Sequence, residues 1–476
     1  MTDPLELSLV EAAAAIRKRE VSSEELTRLC LGRIAEHEHV VNAFVHAPAE
    51  VALVAARAAD AVLARGTIVG PLHGVPLARK DNLARAGQRF TSGSRAFAER
   101  RGVETATCLR RLDAAGAVDL GGTNMSEFAF HVHGCNSLNG PPRNPWDTAR
   151  IAGGSSGGSA AALAAHMVFG ALGTDSGGSI RSPAALCGIV GLAPTQGRVS
   201  RHGMAPGSDS LDVIGPMART VQDCALLLSA IAGADSCDEQ ASARPAPDYR
   251  AALDRPLRGR RLGILREFPG VPEDAARTLA AAAAVFGDLG AALVEVALPE
   301  LDAMNALAAI VFVSEAAAHH SAVLREHWDD IHPEVRDRLL LAHALPDEAY
   351  RRALAVRSAV LRKFCAFVFA AADLVMLPSS PVAAPKYAAI SRSGSTAGQG
   401  IASSNDPGRY TRGINYLGLP ALSLPAGFDG GGMPLGLQLV GKPFGEALLL
   451  NFGHQYQRAT DWHRRRPPLL HGCPLP

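Results

Sequence analysis

Hydrophobic and polar positions follow three rhythms along the chain. Over the first 65 residues apolar side chains recur at helical spacing, as at Leu26, Leu29, Ile34 and Ala35. Ser8-Leu9-Val10-Glu11 and Ser22-Ser23-Glu24-Glu25 stand as capping boxes, the serine covering one orphan N–H and the glutamate another. From about Gly70 to Gly215 the chain is dense in Gly, Ser, Thr and Asn, with short apolar runs such as Val75-Pro76-Leu77 and Val118-Asp119-Leu120. Short buried strands joined by glycine turns have this texture, here alternating with helices predicted over 105–115 and 159–165. Residues 235–256, with Ala-Arg-Pro-Ala-Pro at 243–247, read as a linker or a surface excursion. Beyond them the pattern predicts a strand at 262–265, an alanine-rich helix at 273–289 and a strand at 293–298, a unit that places strands parallel. A helical region at 301–371, strands at 374–377, 421–424 and 435–440, and a helix at 444–458 complete an α/β pattern.

Composition narrows the function classes. The 47 Lys+Arg against 46 Asp+Glu leave no global field to attract nucleic acid or an acidic membrane. With 20% charged and 47% apolar residues, the 476-residue chain is not disordered, and it is long enough for several domains or one large α/β unit. Its eight cysteines are scattered without a CxxC pair, which predicts reduced thiols in a reducing compartment. The N-terminus lacks signal-peptide order, and no uninterrupted apolar run reaches the roughly 18 residues of a membrane span. The longest candidate, 306–313, stops at Ser314-Glu315. A cytoplasmic protein without membrane or nucleic-acid partners is expected.

Three segments carry candidate chemistry. Gly153-Gly154-Ser155-Ser156-Gly157-Gly158-Ser159 runs directly into an apolar helix, unlike a flexible linker. It has no lysine for a phosphate-binding loop, and GxGxxG cannot be laid on its spacing. Ser179 follows Ser176-Gly177-Gly178, small residues that leave backbone N–H groups uncovered, as an oxyanion hole requires. Nearby, Asp175 and Arg181 can pair and hold that loop, or Arg181 can face an anionic group. Lys80 ends the apolar stretch 74–80.

Together these segments resemble the amidase signature family. The match runs without a gap from Gly153 through Pro183, with the two serines 24 residues apart. It extends to Gly122-Thr-Asn124-Met125-Ser-Glu127-Phe128, Arg143-Asn-Pro-Trp146-Asp, and the closing segments Asn415 to Gly427 and Pro434 to Gln438, and is weakest over 230–400. The resemblance implies one large α/β domain over 1–476, with a mixed central sheet covered by helices on both faces. Within it lie an N-terminal helical region (1–65), a signature core (about 66–230) and a variable substrate-pocket region (about 301–415).

It also implies Ser179 as nucleophile, Ser155 on a cis peptide as proton relay and Lys80 as base. Ser156 would steady the loop, and the N–H groups of Ser176, Gly177, Gly178 and Ser179 would receive the oxyanion. A hydroxyl needs a base to become a nucleophile, and only about one lysine in 2,500 is neutral at pH 7 with an unperturbed pKa. Burial must therefore lower the Lys80 pKa. The family often carries an aliphatic or histidine residue before the lysine. Here Arg79 stands there, and strand alternation sends it to the opposite face.

The expected reaction is hydrolysis of a non-peptide carboxamide through an acyl-enzyme, with the acyl side against Gly122, Asn124 and Met125. Apolar runs such as Ala309-Ile-Val-Phe312 favour a hydrophobic or aryl amide; carbamates (urethanes) and esters offer the same carbonyl. The alternative is the glutamine-hydrolysing A-type subunit of a tRNA-dependent amidotransferase. That branch places an acid shortly before Thr-x-x-x-Asn, where this chain has Gly408, with Asp406 two residues away. A second alternative treats Gly153-x-Ser155-x-Gly157 as an esterase nucleophile elbow, which leaves Ser179 and Lys80 unexplained. A third is a protein that only binds amides. No metal or organic cofactor is expected, and a homodimer is the family expectation. The rings of His131 and His133 would diverge if extended, His319-His320 would end a helix, and Arg464-Arg465-Arg466 reads as a solvated tail.

Overall fold

The computed structural model describes residues 3–298, 300–391 and 406–471, so part of the 301–415 region and Cys473 lie outside the described residues. Eleven strands form one mixed sheet: β1 (Phe44–His46), β2 (Pro76–Lys80), β3 (Val118–Thr123), β4 (Gly170–Asp175), β5 (Val190–Ala193), β6 (Val213–Ala218), β7 (Arg261–Ile264), β8 (Ala292–Glu295), β9 (Leu374–Pro378), β10 (Ala421–Phe428) and β11 (Pro434–Gly441). Their spatial order is β1-β3-β2-β4-β6-β5-β10-β11-β9-β7-β8. Strands β3, β2 and β4 are parallel neighbours, as are β9, β7 and β8, with antiparallel pairs between the two groups. Because β5, which precedes residues 235–256, pairs with β10, which follows them, the strands on either side of this largely exposed stretch belong to the same sheet.

The predicted strand–helix–strand unit appears as β7, the helix Glu273–Asp288 and β8, with β7 and β8 parallel. At the N-terminus, Ser8 and Glu11 form the full reciprocal capping box, whereas Ser22 caps through its side chain on the Glu25 N–H alone. Strand β1 and the hairpin of Arg143–Asn144 with Asp147–Ile151 are too short to show a period in the sequence.

The helix Leu301–Glu326 falls in the expected helical region and continues through Ser314-Glu315, where the apolar run ends. By length and composition it could cross a membrane. In this fold Glu315 is buried and accepts hydrogen bonds from Ser208, from Ser210 Oγ (2.5 Å) and from Tyr350 Oη (2.8 Å), which pins the helix among polar partners. His319 and His320 lie inside this helix rather than at its end, and His320 stacks on Phe128 at 4.1 Å between ring centres.

This topology sets the site. Parallel strands β2 and β4 are adjacent, with Arg79 opposite Leu172, so Lys80 emerges beside Thr174 and Asp175 at their carboxyl ends. Ligand sites in α/β sheets favour that edge because the loops leaving it converge. From Asp175 the chain turns through Ser176–Ile180 into the helix Arg181–Cys187.

Candidate active site

Lys80 is wholly buried, and its Nζ lies 2.6 Å from Ser155 Oγ. The same nitrogen donates to Thr174 Oγ1 at 2.8 Å, and that oxygen also accepts from Asn82 Nδ2 at 3.1 Å. Burial lowers the Lys80 pKa to about 7, against the opposing pull of Asp212 and Asp175, so a large fraction is neutral near pH 7. Arg79 points away, as expected: its guanidinium grips Asp119 at 2.6 and 2.8 Å and donates to Gln88 Oε1 at 2.7 Å.

The Gly154–Ser155 peptide is cis. Gly154 is required there, since a Cβ would come within 2.5 Å of the His131 carbonyl oxygen. Ser156 Oγ donates to the Thr174 carbonyl at 3.1 Å, and the Ser156 N–H donates to the Ser179 carbonyl at 3.1 Å. That pair of bonds ties the two serine loops together. Both serines are buried, Ser155 at 0% exposed and Ser179 at 8%.

Asp175 and Arg181 do pair, at 3.1 Å. Burial alone would raise the Asp175 pKa, but the guanidinium outweighs it and holds the carboxyl down at about 2. Arg181 donates further to Gln438 Oε1 (3.1 Å), to the Thr411 carbonyl (3.1 Å) and to Asn415 Oδ1, leaving it no role towards a substrate anion. Asp175 Oδ1 also takes the Gly178 N–H at 2.6 Å. Of the four amides expected to face an oxyanion, that of Gly178 is therefore already engaged. Gly178 is held at φ 120°, and a Cβ there would fall 2.0 Å from Thr411 Oγ1. Ser176 Oγ donates to Asp212, whose carboxylate also accepts the Gly207 and Ser208 N–H groups.

Gly122, Asn124 and Met125, expected on the acyl side of a substrate, are closely engaged within the fold. Asn124 is buried and its amide is spent: Nδ2 donates to the Asn42 and Gly140 carbonyls, both at 3.0 Å, while Oδ1 accepts from the Met125 N–H and from Asn136 Nδ2. Met125 is buried too, and behind Gly122 a Cβ would meet His46 at 2.6 Å. These residues brace the loops beneath the serines. Thr174, Asn82, Asp212 and Asn415 were missed as site residues, since single hydroxyl, amide or carboxyl side chains carry no local signal.

His131 and His133 do not diverge, because the chain turns there; their ring centres are 4.5 Å apart and Glu334 lies alongside. His131 Nδ1 accepts the His133 N–H at 3.2 Å, so a cation on Nε2 would need a proton where that bond already points. The cluster is not assigned as a metal site.

Lys80 and Ser155 are thus in hydrogen-bond contact at one sheet edge, the Ser155 loop being tied to that of Ser179. A family model described as Amidase matches residues 25–450. The chain is 44% identical to the A-type subunit of glutamyl-tRNA(Gln) amidotransferase from Chloroflexus aggregans, over 98% of this chain and 99% of that protein. Among solved structures, one chain from a study of a vestigial protein complex and the origins of an s-triazine catabolic enzyme superposes with TM-score 0.88 at 34% identity, covering 95% of this chain and 98% of that one. Native peptide amidase from Stenotrophomonas maltophilia superposes with TM-score 0.84 at 33% identity, covering 97% and 98%. With the family's pattern matched over most of its length and relatives aligned nearly end to end, the chain belongs to the amidase signature family of hydrolases acting on carbon–nitrogen bonds.

Proposed function

We propose that the chain hydrolyses a carboxamide through an acyl-enzyme on Ser179. Neutral Lys80 takes the Ser155 proton while Ser155 takes that of Ser179, and Ser179 Oγ attacks the carbonyl carbon. The C–N bond breaks as the proton returns through Ser155 to the leaving nitrogen. Water then attacks the acyl ester, its proton follows the same path, and Ser179 is regenerated with release of the acid. The contact of Lys80 Nζ with Ser155 Oγ at 2.6 Å carries this reading. Mass spectrometry of a trapped intermediate is expected to find the acyl group on Ser179. Ser179→Ala abolishes trapping, whereas acylation of Ser155 in that variant would return the esterase reading.

Within this chemistry the substrate favoured is glutamine, with the chain releasing ammonia in concert with partner subunits and a misacylated tRNA. Identities of 40–44% to A-type subunits of glutamyl-tRNA(Gln) amidotransferase along nearly the whole chain support it over the aryl-amide expectation. The apolar run behind that expectation is packed into the protein: Val311 is fully buried and Phe312 lies against Phe130. One observation favours a second reading, a self-sufficient amidase for other carboxamides. Gly408 stands where the glutamine branch carries its acid, and Asp406 is locked onto Arg412 at 2.7 Å. Ammonia release is to be measured from glutamine, an anilide, a carbamate and an aliphatic amide, with and without B- and C-type partner subunits. Glutamine turnover that rises at least about tenfold with partners is expected. Turnover of the other amides alone, with none of glutamine in either condition, selects the second reading.

A further inference from the structure

A cavity of about 530 Å³ lies at the other end of the sheet from the serines. It sits where Gly170 pairs with Ala218, five strand residues and roughly 17 Å from Asp175. Its wall holds five arginines (219, 458, 464, 465 and 466) against Glu6 and Glu11; Arg458 and Arg465 are also answered from outside the wall, by Asp254 and Asp461, each at 3.0 Å. Both acids are occupied: Glu6 pairs with Arg466, and Glu11 accepts the Ser8 N–H as a helix cap. The Arg464-Arg465-Arg466 tail is therefore folded onto this cavity.

Two further observations point to a ligand. Gln457 is 6% exposed and lines the cavity, and its Oε1 accepts the Val221 N–H at 2.8 Å. That bond fixes the amide orientation and leaves Nε2 buried without a hydrogen-bond partner. His463 Nδ1, on the same wall, is also buried without one. An unpaired buried donor such as Gln457 Nε2 is destabilising unless an acceptor enters, and here it lies among guanidinium groups, beside an imidazole whose Nδ1 is free to take the donor tautomer. Arg219 is buried behind them with its own donors spent on the Val168, Leu5 and Leu7 carbonyls, adding charge but no competing contact.

We propose that this cavity binds a phosphate-type oxyanion, held by Gln457 Nε2 and His463 and neutralised by the arginines of the C-terminal segment. A tetrahedral anion accepts from several directions at once, which suits neutral N–H donors and guanidinium forks converging from different elements. The volume admits either free phosphate or the phosphate of a mononucleotide.

Isothermal titration of the full chain with inorganic phosphate and with AMP, at ionic strength held constant by chloride, tests this. Saturable binding of at least one of them is expected, with AMP tighter if a nucleotide phosphate is the source and phosphate equal or tighter if it is free. Gln457→Glu keeps the acceptor to Val221 but replaces the donor by a like charge, and weakens binding at least about tenfold. Arg464→Ser combined with His463→Ala does the same without touching Gln457, and amide hydrolysis is retained in both variants. Absence of saturable heat with both ligands, or equal affinity in wild type and both variants, overturns the proposal.

Discussion

Replacing Lys80 by methionine is expected to lower kcat/KM for amide hydrolysis by about 10⁴-fold while leaving the protein folded. Methionine fills the space of the lysine stem but offers no lone pair to the Ser155 hydroxyl 2.6 Å away. Stability is expected to hold or rise, because a fully buried ammonium is disfavoured and the replacement removes it. Wild-type activity carries the matching signature. The reactive form is the unprotonated amine, and burial sets its pKa at about 7, so kcat/KM rises about tenfold per pH unit below 7 and levels off above it. A pH–rate profile of the wild type, beside urea denaturation of both proteins, checks the claim. Variant activity within tenfold of wild type, or a wild-type profile flat from pH 5 to 8, would remove Lys80 as the base.

The second large effect is structural. Arg181→Ala is expected to destabilise the protein by about 3–5 kcal/mol, because it strands the buried Asp175 carboxylate without its counter-charge. The loss reaches beyond the pair, since the same guanidinium gathers Gln438, Asn415 and the Thr411 carbonyl around the loop that presents Ser179. Arg181→Lys keeps the charge but not the forked donors, and falls between the two. Denaturant midpoints read all three proteins. The pH dependence has a defined sign. Asp175 has a folded-state pKa of about 2, below the ordinary carboxylate value near 4. Its stabilisation is fully present above about pH 4 and is lost as pH falls towards 2, and the Arg181→Ala protein lacks that component.

Local patterns in the chain were enough for the α/β order, most helix and strand positions, and the serines and lysine that carry the family resemblance. Caps and periodicity act within a few residues, so Ser8 with Glu11 and the unit from Arg261 to Glu295 are legible without a fold. The spaced block from Gly153 to Pro183 is legible for a related reason, because hydroxyls between glycines suit few backbones other than tight loops. Substrate contacts were not legible. Asn124 and Met125 are chemically able to line a pocket, and only the carbonyls of Asn42 and Gly140 arriving beside them turn Asn124 into a brace. The apolar run at 309–312 likewise reads equally as pocket or core until its neighbours are placed.

What the sequence by itself determined is therefore the family, the α/β order and the positions of the lysine and serines that match the family's pattern. Tertiary structure decided their state: that Lys80 is dry and hydrogen-bonded to Ser155, 75 residues away, and that Arg181 answers Asp175 and Gln438. The physical reason is range. Backbone conformation is set by near neighbours along the chain, whereas desolvation and charge pairing depend on whichever groups the fold brings within a few ångströms.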